Sequence, residues 1–131
     1  MRHQHTLAGI GFFIVFLGTG LWMRLMFPDA YQGDTGMRLM FRSAHIYILL
    51  SALVNLVAGT AREVAATRWA ALLGSLGSWM LLLAPALFTA AFFLEPAPDS
   101  VERPYVKWGC FWTLGASLAF VAARLGFSKA S

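Results

Sequence analysis

Arg24, Arg38, Arg42, His45 and Glu95 are the side chains of this sequence best suited to chemistry, because each is ionisable and lies within or at the edge of an apolar run. Such groups are costly in a membrane and are functional candidates on that ground. Arginine offers a planar fork of donors that matches a carboxylate or a phosphate. At about 100° per residue, Arg38, Arg42, His45 and Leu49 form one stripe of a helix. Facing Arg24 and Glu95, that stripe would hold an anion, a lipid headgroup or the polar head of an amphipathic ligand. Two plainer uses fit as well: Arg38 and Lys107 snorkelling to headgroups, and a Glu95–arginine ion pair locking helix ends.

A second stripe, Ser43, Tyr47, Ser51 and Asn55, lies nearly opposite on the same helix. Tyr47, Ser51 and Asn55 are expected to make polar contacts between helices. Asn55 is the deepest strongly polar side chain, and such a bond contributes about 0.6–2 kcal/mol. Polar groups on opposite faces predict a second helix that shows no wide face to lipid and is central or buried between subunits.

Other chemistries find less support. His3 and His5 read as a mobile N-terminal pair, and His45 is expected at the opposite membrane face, so no metal site or bis-histidine haem is predicted. Cys110 is the only cysteine, which excludes an intrachain disulfide or a CxxC pair. No Gly-rich phosphate loop or nucleophile motif occurs. The absence of an acid or lysine at mid-membrane argues against a proton-coupled carrier, although Asn55 and backbone dipoles leave a small channel or transporter as an alternative. No cofactor is expected, and a non-enzymatic role is favoured.

The elements that position these residues follow from composition and run length. Of 131 residues, 59% are hydrophobic and 12% charged, far from the roughly 25% charged of a soluble domain. A helix needs about 20 apolar residues to cross the hydrocarbon. Segments 7–27, 37–61, 69–94 and 104–123 meet or approach that length, predicting an all-α, four-transmembrane-helix up-down bundle that fills the chain as a single integral membrane domain. Continuous rather than alternating runs exclude a β-barrel. The first run is too long for the apolar region of a signal peptide and is read as a retained helix.

Pro28 is expected to end the first helix, and Asp29, Gly33, Asp34 and Gly36 to form the first loop. Asp34 or Thr35 should cap the second helix. Pro85 is expected to kink the third, Glu95, Pro96 and Pro98 to stop it, and Pro104 to start the fourth. Met-Arg-Leu-Met-Phe occurs twice, at 23–27 and 37–41, flanking the first loop, which we read as similar interfacial chemistry. Gly11, Gly18 and Gly20, the pair Gly74 and Ser78, and the pair Gly115 and Ala119 predict close helix packing. Trp22, Trp69, Trp108 and Trp112 read as interfacial belt residues.

The formal charge is +4, but the ten Lys and Arg are scattered at segment ends, which argues against nucleic acid as a partner. Membrane lipids, a second copy of the chain or a larger membrane complex are the expected partners. Arg2, Arg62, Arg68, Arg124 and Lys129 fall on one membrane side, and Arg24, Arg38, Arg42, Arg103 and Lys107 on the other. This tie is broken by Arg24 and Arg42 lying close inside segment ends, where they have other uses, and by the acids on the second side, Asp29, Asp34, Glu95, Asp99 and Glu102. The resulting expectation is a bacterial inner-membrane protein with both termini cytoplasmic.

The segment Arg42-Ser43-Ala44-His45 resembles the Arg-x-Ala-His entry to the second helix in bacterial members of the membrane-associated eicosanoid and glutathione metabolism family. The resemblance covers these four residues; the family's following Asn and Glu positions are Tyr47 and Leu50 here. It implies a four-helix membrane protein, often trimeric, that binds or conjugates glutathione through arginines between subunits. The residues themselves predict a self-associating or accessory membrane protein whose Arg/His end contacts headgroups, an amphipathic ligand or a partner.

Overall fold

Four long apolar runs broken by short polar loops fold as four helices because every backbone N–H and C=O in hydrocarbon needs a partner within its own segment. In the computed structural model the described residues are 1–61, 67–97 and 102–125. They form α1 (Arg2–Ala30), α2 (Thr35–Thr60), α3 (Arg68–Leu94) and α4 (Pro104–Leu125), all long and apolar enough to cross a membrane. The chain is a multi-pass, all-α four-helix bundle. Arg62, Asp99 and Lys129 of the orientation count, and Pro98 of the third stop, lie outside the described residues.

Local chemistry sets the helix ends. Asp34 Oδ1 accepts from Met37 N at 2.9 Å, capping α2 as expected for one of its two candidates. Gly33 has φ +91°, a conformation that suits glycine in the tight loop before it. Thr67 Oγ1 accepts from Ala70 N at 3.2 Å and caps α3. The first helix runs three residues beyond its expected end, through Pro28 to Ala30. A proline this near the terminus removes only the bond to the Arg24 carbonyl, and its fixed φ is helical.

α1 packs along α2 and α3 along α4, and the two hairpins join through α2 and α3 with a light α1–α3 contact. The core between them is aromatic at one end, where Phe27, Phe41, Phe88 and Phe92 are buried with Met23, Met37 and Ile48. Trp22 joins this core, edge-on to Phe92 at 5.6 Å and tilted against Phe41 at 5.1 Å. It is therefore a packing residue rather than a belt residue, because its helix position turns it toward α2 and α3. Trp69 and Trp108 are exposed.

Small residues close the hairpins, though not all those expected. A Cβ at Gly77 would lie 2.9 Å from the Ala116 carbonyl, so glycine is what lets α3 and α4 touch there. Gly74 and Gly115 sit at ordinary contact distance from α4 and α3. Gly9, unremarked in the sequence, meets Leu56 and the Ala52 carbonyl, whereas Gly11 and Gly18 have nothing within 4 Å and face outward. Their register on α1 places them opposite the buried Gly9 side.

α2 does show one face outward, as Leu39, Ile46, Leu50, Leu53 and Val57, all at least 45% exposed. This narrow stripe lies between the two polar ones. The expectation of a helix without a wide lipid face holds in width, but opposite polar stripes left room for an apolar one between them.

Candidate functional site

At the end of the bundle where α1 leaves and α2 returns, an open groove of about 500 Å³ is lined by Met23, Arg24, Phe27, Pro28, Arg38 and Arg42. The repeated pentapeptide builds it. In both copies the first Met and the terminal Phe are buried while the Leu is exposed, so the copies meet with Phe27 and Phe41 rings 5.8 Å apart. Arg24 and Arg38 take the same place in each copy, beside that aromatic seam.

The three arginines differ in what holds them. Arg38 Nη2 donates to the Phe27 carbonyl at 2.8 Å, and its guanidinium lies 5.7 Å from the centre of the Phe27 ring. That carbonyl is one of the last four of α1, which have no intrahelical donor and carry the negative end of the helix dipole. Arg38 is thus a C-terminal cap of α1, with its Nε buried and without a hydrogen bond. Arg24 and Arg42 are exposed and make no hydrogen bond or ion pair among the described residues. Two free guanidiniums, one on each helix, therefore flank an apolar floor.

His45 sits one turn deeper on the same α1–α2 seam. Its ring stacks on Phe16 at 4.1 Å, and Nδ1 is 2.9 Å from Thr19 Oγ1. Gly20 admits the ring: a Cβ there would lie 3.1 Å from His45 Cε1. Arg24, Arg38 and Arg42 come together as the lining of the groove, whereas His45, on the same stripe, packs against Phe16 and Thr19 below it and is not part of that lining.

Glu95 belongs elsewhere. Its carboxylate pairs with Arg103 Nε at 3.3 Å and accepts from Val106 N at 3.0 Å, capping the first turn of α4. Arg103 also donates to Ser43 Oγ and, at 3.2 Å, to the Met40 carbonyl. The anticipated ion pair at the helix ends exists, but its arginine is Arg103, which precedes Pro104 and so approaches α3 from the loop. Ser43 thereby serves as a tie between α2 and the α3–α4 hairpin. Tyr47, next on that stripe, stacks on Phe88 at 5.2 Å.

The opposite end holds a buried network. Proline 85 has no N–H for the Leu81 carbonyl four residues earlier, and Asn55 Nδ2 supplies the missing donor at 2.7 Å. Nδ2 also donates to Ser51 O at 3.0 Å, which leaves Oδ1 to face His5 Nδ1 at 2.7 Å. His5 is only 2% exposed, so the expected mobile pair is divided: His3 is exposed and His5 is packed between α1 and α2. Ser51 Oγ bonds back to the Ile48 carbonyl of its own helix, so of the expected interhelical contacts Asn55 makes hydrogen bonds to α1 and α3, and Tyr47 makes one with Cys110 of α4.

No group of three or more metal-binding side chains occurs among the described residues. No protein-family model, curated protein or solved structure matches this chain.

Proposed function

We propose that this protein binds the anionic head of a membrane amphiphile in the groove between α1 and α2. The observation that carries the reading is the pair of unneutralised guanidiniums, Arg24 and Arg42, over a floor of Met23 and Phe27, with no carboxylate in the lining. An arginine fork matches phosphate oxygens in geometry and charge. The groove lies at the end of two membrane-spanning helices whose neighbouring Leu25 and Leu39 are 65% and 66% exposed, so an occupant can keep its acyl chain in lipid while its head reaches the arginines. Arg38, already bonded to Phe27, contributes field rather than a free fork.

In this reading the protein sits in a bacterial inner membrane with both termini cytoplasmic, the orientation that the distribution of charge favours, and the groove opens at the outer leaflet. Native mass spectrometry of the full chain, released from detergent with equimolar phosphatidylglycerol and phosphatidylcholine, tests the reading. Retention of the anionic lipid, lost in Arg24→Gln/Arg42→Gln, is the expected result. Equal retention of both lipids would overturn it, and displacement by millimolar inorganic phosphate or glutathione would make this a site for soluble anions instead.

A further inference from the structure

We infer that the occupant of this groove carries a free hydroxyl close to its phosphate, and that His45 is the residue that selects for it. The inference rests on the anion-binding reading above and adds the substrate class and the specificity-determining side chain.

The Thr19 hydroxyl has a single proton. Its oxygen is 3.0 Å from the Phe16 carbonyl three residues earlier in α1, the back-bond by which hydroxyls inside apolar helices are satisfied. With that proton committed, the 2.9 Å contact to His45 Nδ1 requires the imidazole to be the donor. A neutral imidazole has one N–H, so Nε2 is left as a bare acceptor. Among the described residues Nε2 has no hydrogen bond, and it is not fully buried; His45 lies below the groove rather than in its lining, so a donor reaches it along the seam. In an apolar setting an acceptor without a donor is unfavourable, and a ligand donor would remove that cost.

The position of the ring sets where the donor must be. Gly20 is four residues below Arg24 on α1, and His45 three below Arg42 on α2. At about 1.5 Å rise per residue, the ring lies roughly 4.5–6 Å deeper along the seam than the free guanidiniums. Gly20 gives the ring room, since a Cβ there would come 3.1 Å from Cε1, closer than an ordinary contact. The seam therefore presents donors for an anion at its mouth and one acceptor a turn below.

A phosphate amphiphile with a hydroxyl on the carbon between its phosphate ester and its acyl chain, on the membrane side of the phosphate, satisfies both. Monoacyl glycerophosphates have this arrangement. In diacyl phospholipids that position carries the second acyl ester, and a headgroup hydroxyl such as that of phosphatidylglycerol lies on the water side of the phosphate, away from His45. The groove is thus built to prefer a single-chain, hydroxyl-bearing phospholipid over the bulk bilayer lipid around it.

The test uses the full chain in nanodiscs and two probes that differ by one oxygen: 1-oleoylglycerol 3-phosphate and its analogue with hydrogen in place of the hydroxyl. Wild type should bind the hydroxyl-bearing probe about tenfold more tightly, which corresponds to about 1.4 kcal/mol. His45→Phe, which keeps a ring against Phe16, should bind both with the affinity of the deoxy probe, and Arg24→Gln/Arg42→Gln should bind neither. Equal or reversed affinities in wild type overturn the role of His45 while leaving the arginine groove in place. Binding of neither probe by wild type overturns the groove itself. The comparison of two probes on wild type does not depend on any variant folding.

Discussion

Arg24 and Arg42 stand apart from Arg38 and Arg103 because nothing among the described residues neutralises or caps them. Substitution should separate the two kinds. Arg24→Ala and Arg42→Ala should leave stability within about 0.5 kcal/mol, as for exposed positions without partners. Arg38→Ala uncaps the Phe27 carbonyl, and Arg103→Ala leaves the Glu95 carboxylate buried beside one remaining donor, so each should lose about 1–3 kcal/mol. Thermal unfolding in one detergent checks all four variants. The arginine and histidine stripe of α2 was legible from spacing alone, since residues three and four apart share a helix face wherever the helix packs. The partner of Glu95 was not, because Arg103 lies in a loop where no periodicity fixes direction. One signal was present: an arginine immediately before a helix-starting proline, facing the acid that ends the preceding helix.

At the scale of the helices, proline and glycine decide the contacts. Asn55 donates to the carbonyl that Pro85 leaves unpaired, so the two residues act as one unit. Asn55→Ala should destabilise the protein by about 1–2 kcal/mol. In a Pro85→Ala background, where residue 85 regains its N–H for the Leu81 carbonyl, the same change should matter less; a double-mutant cycle in equilibrium unfolding measures the difference. An additive cycle would show that proline and asparagine are independent. Gly77→Val forces a branched side chain against the Ala116 carbonyl, 2.9 Å from the position of its Cβ, and should lower stability by about 1–3 kcal/mol. Gly11→Val, with open space around it, should not. Both glycines look alike in the sequence, and only the rotation of each helix against its neighbour tells them apart.

The whole molecule is two helical hairpins joined through α2 and α3, with the charged groove at one end and the His5–Asn55 network at the other. Its orientation is open to a direct measurement. With Cys110 replaced by alanine, a cysteine at Gln32 in the first loop should react with an impermeant maleimide on intact cells, and one at His3 should not. The reverse pattern would put the groove at the inner leaflet. The sequence by itself determined four membrane-spanning helices and their approximate limits, because run length, proline and capping residues act locally and hydrocarbon leaves the backbone no other choice. It also determined which charges share an end, since short loops make successive helices antiparallel. What only the tertiary structure decided was which of those charges are free. That depends on how each helix is rotated about its axis, and packing of Phe, Met and Gly across the hairpins sets that rotation: it turned Arg38 to the end of α1, gave Arg103 to Glu95, buried His5 on Asn55, and left Arg24 and Arg42 facing an open groove.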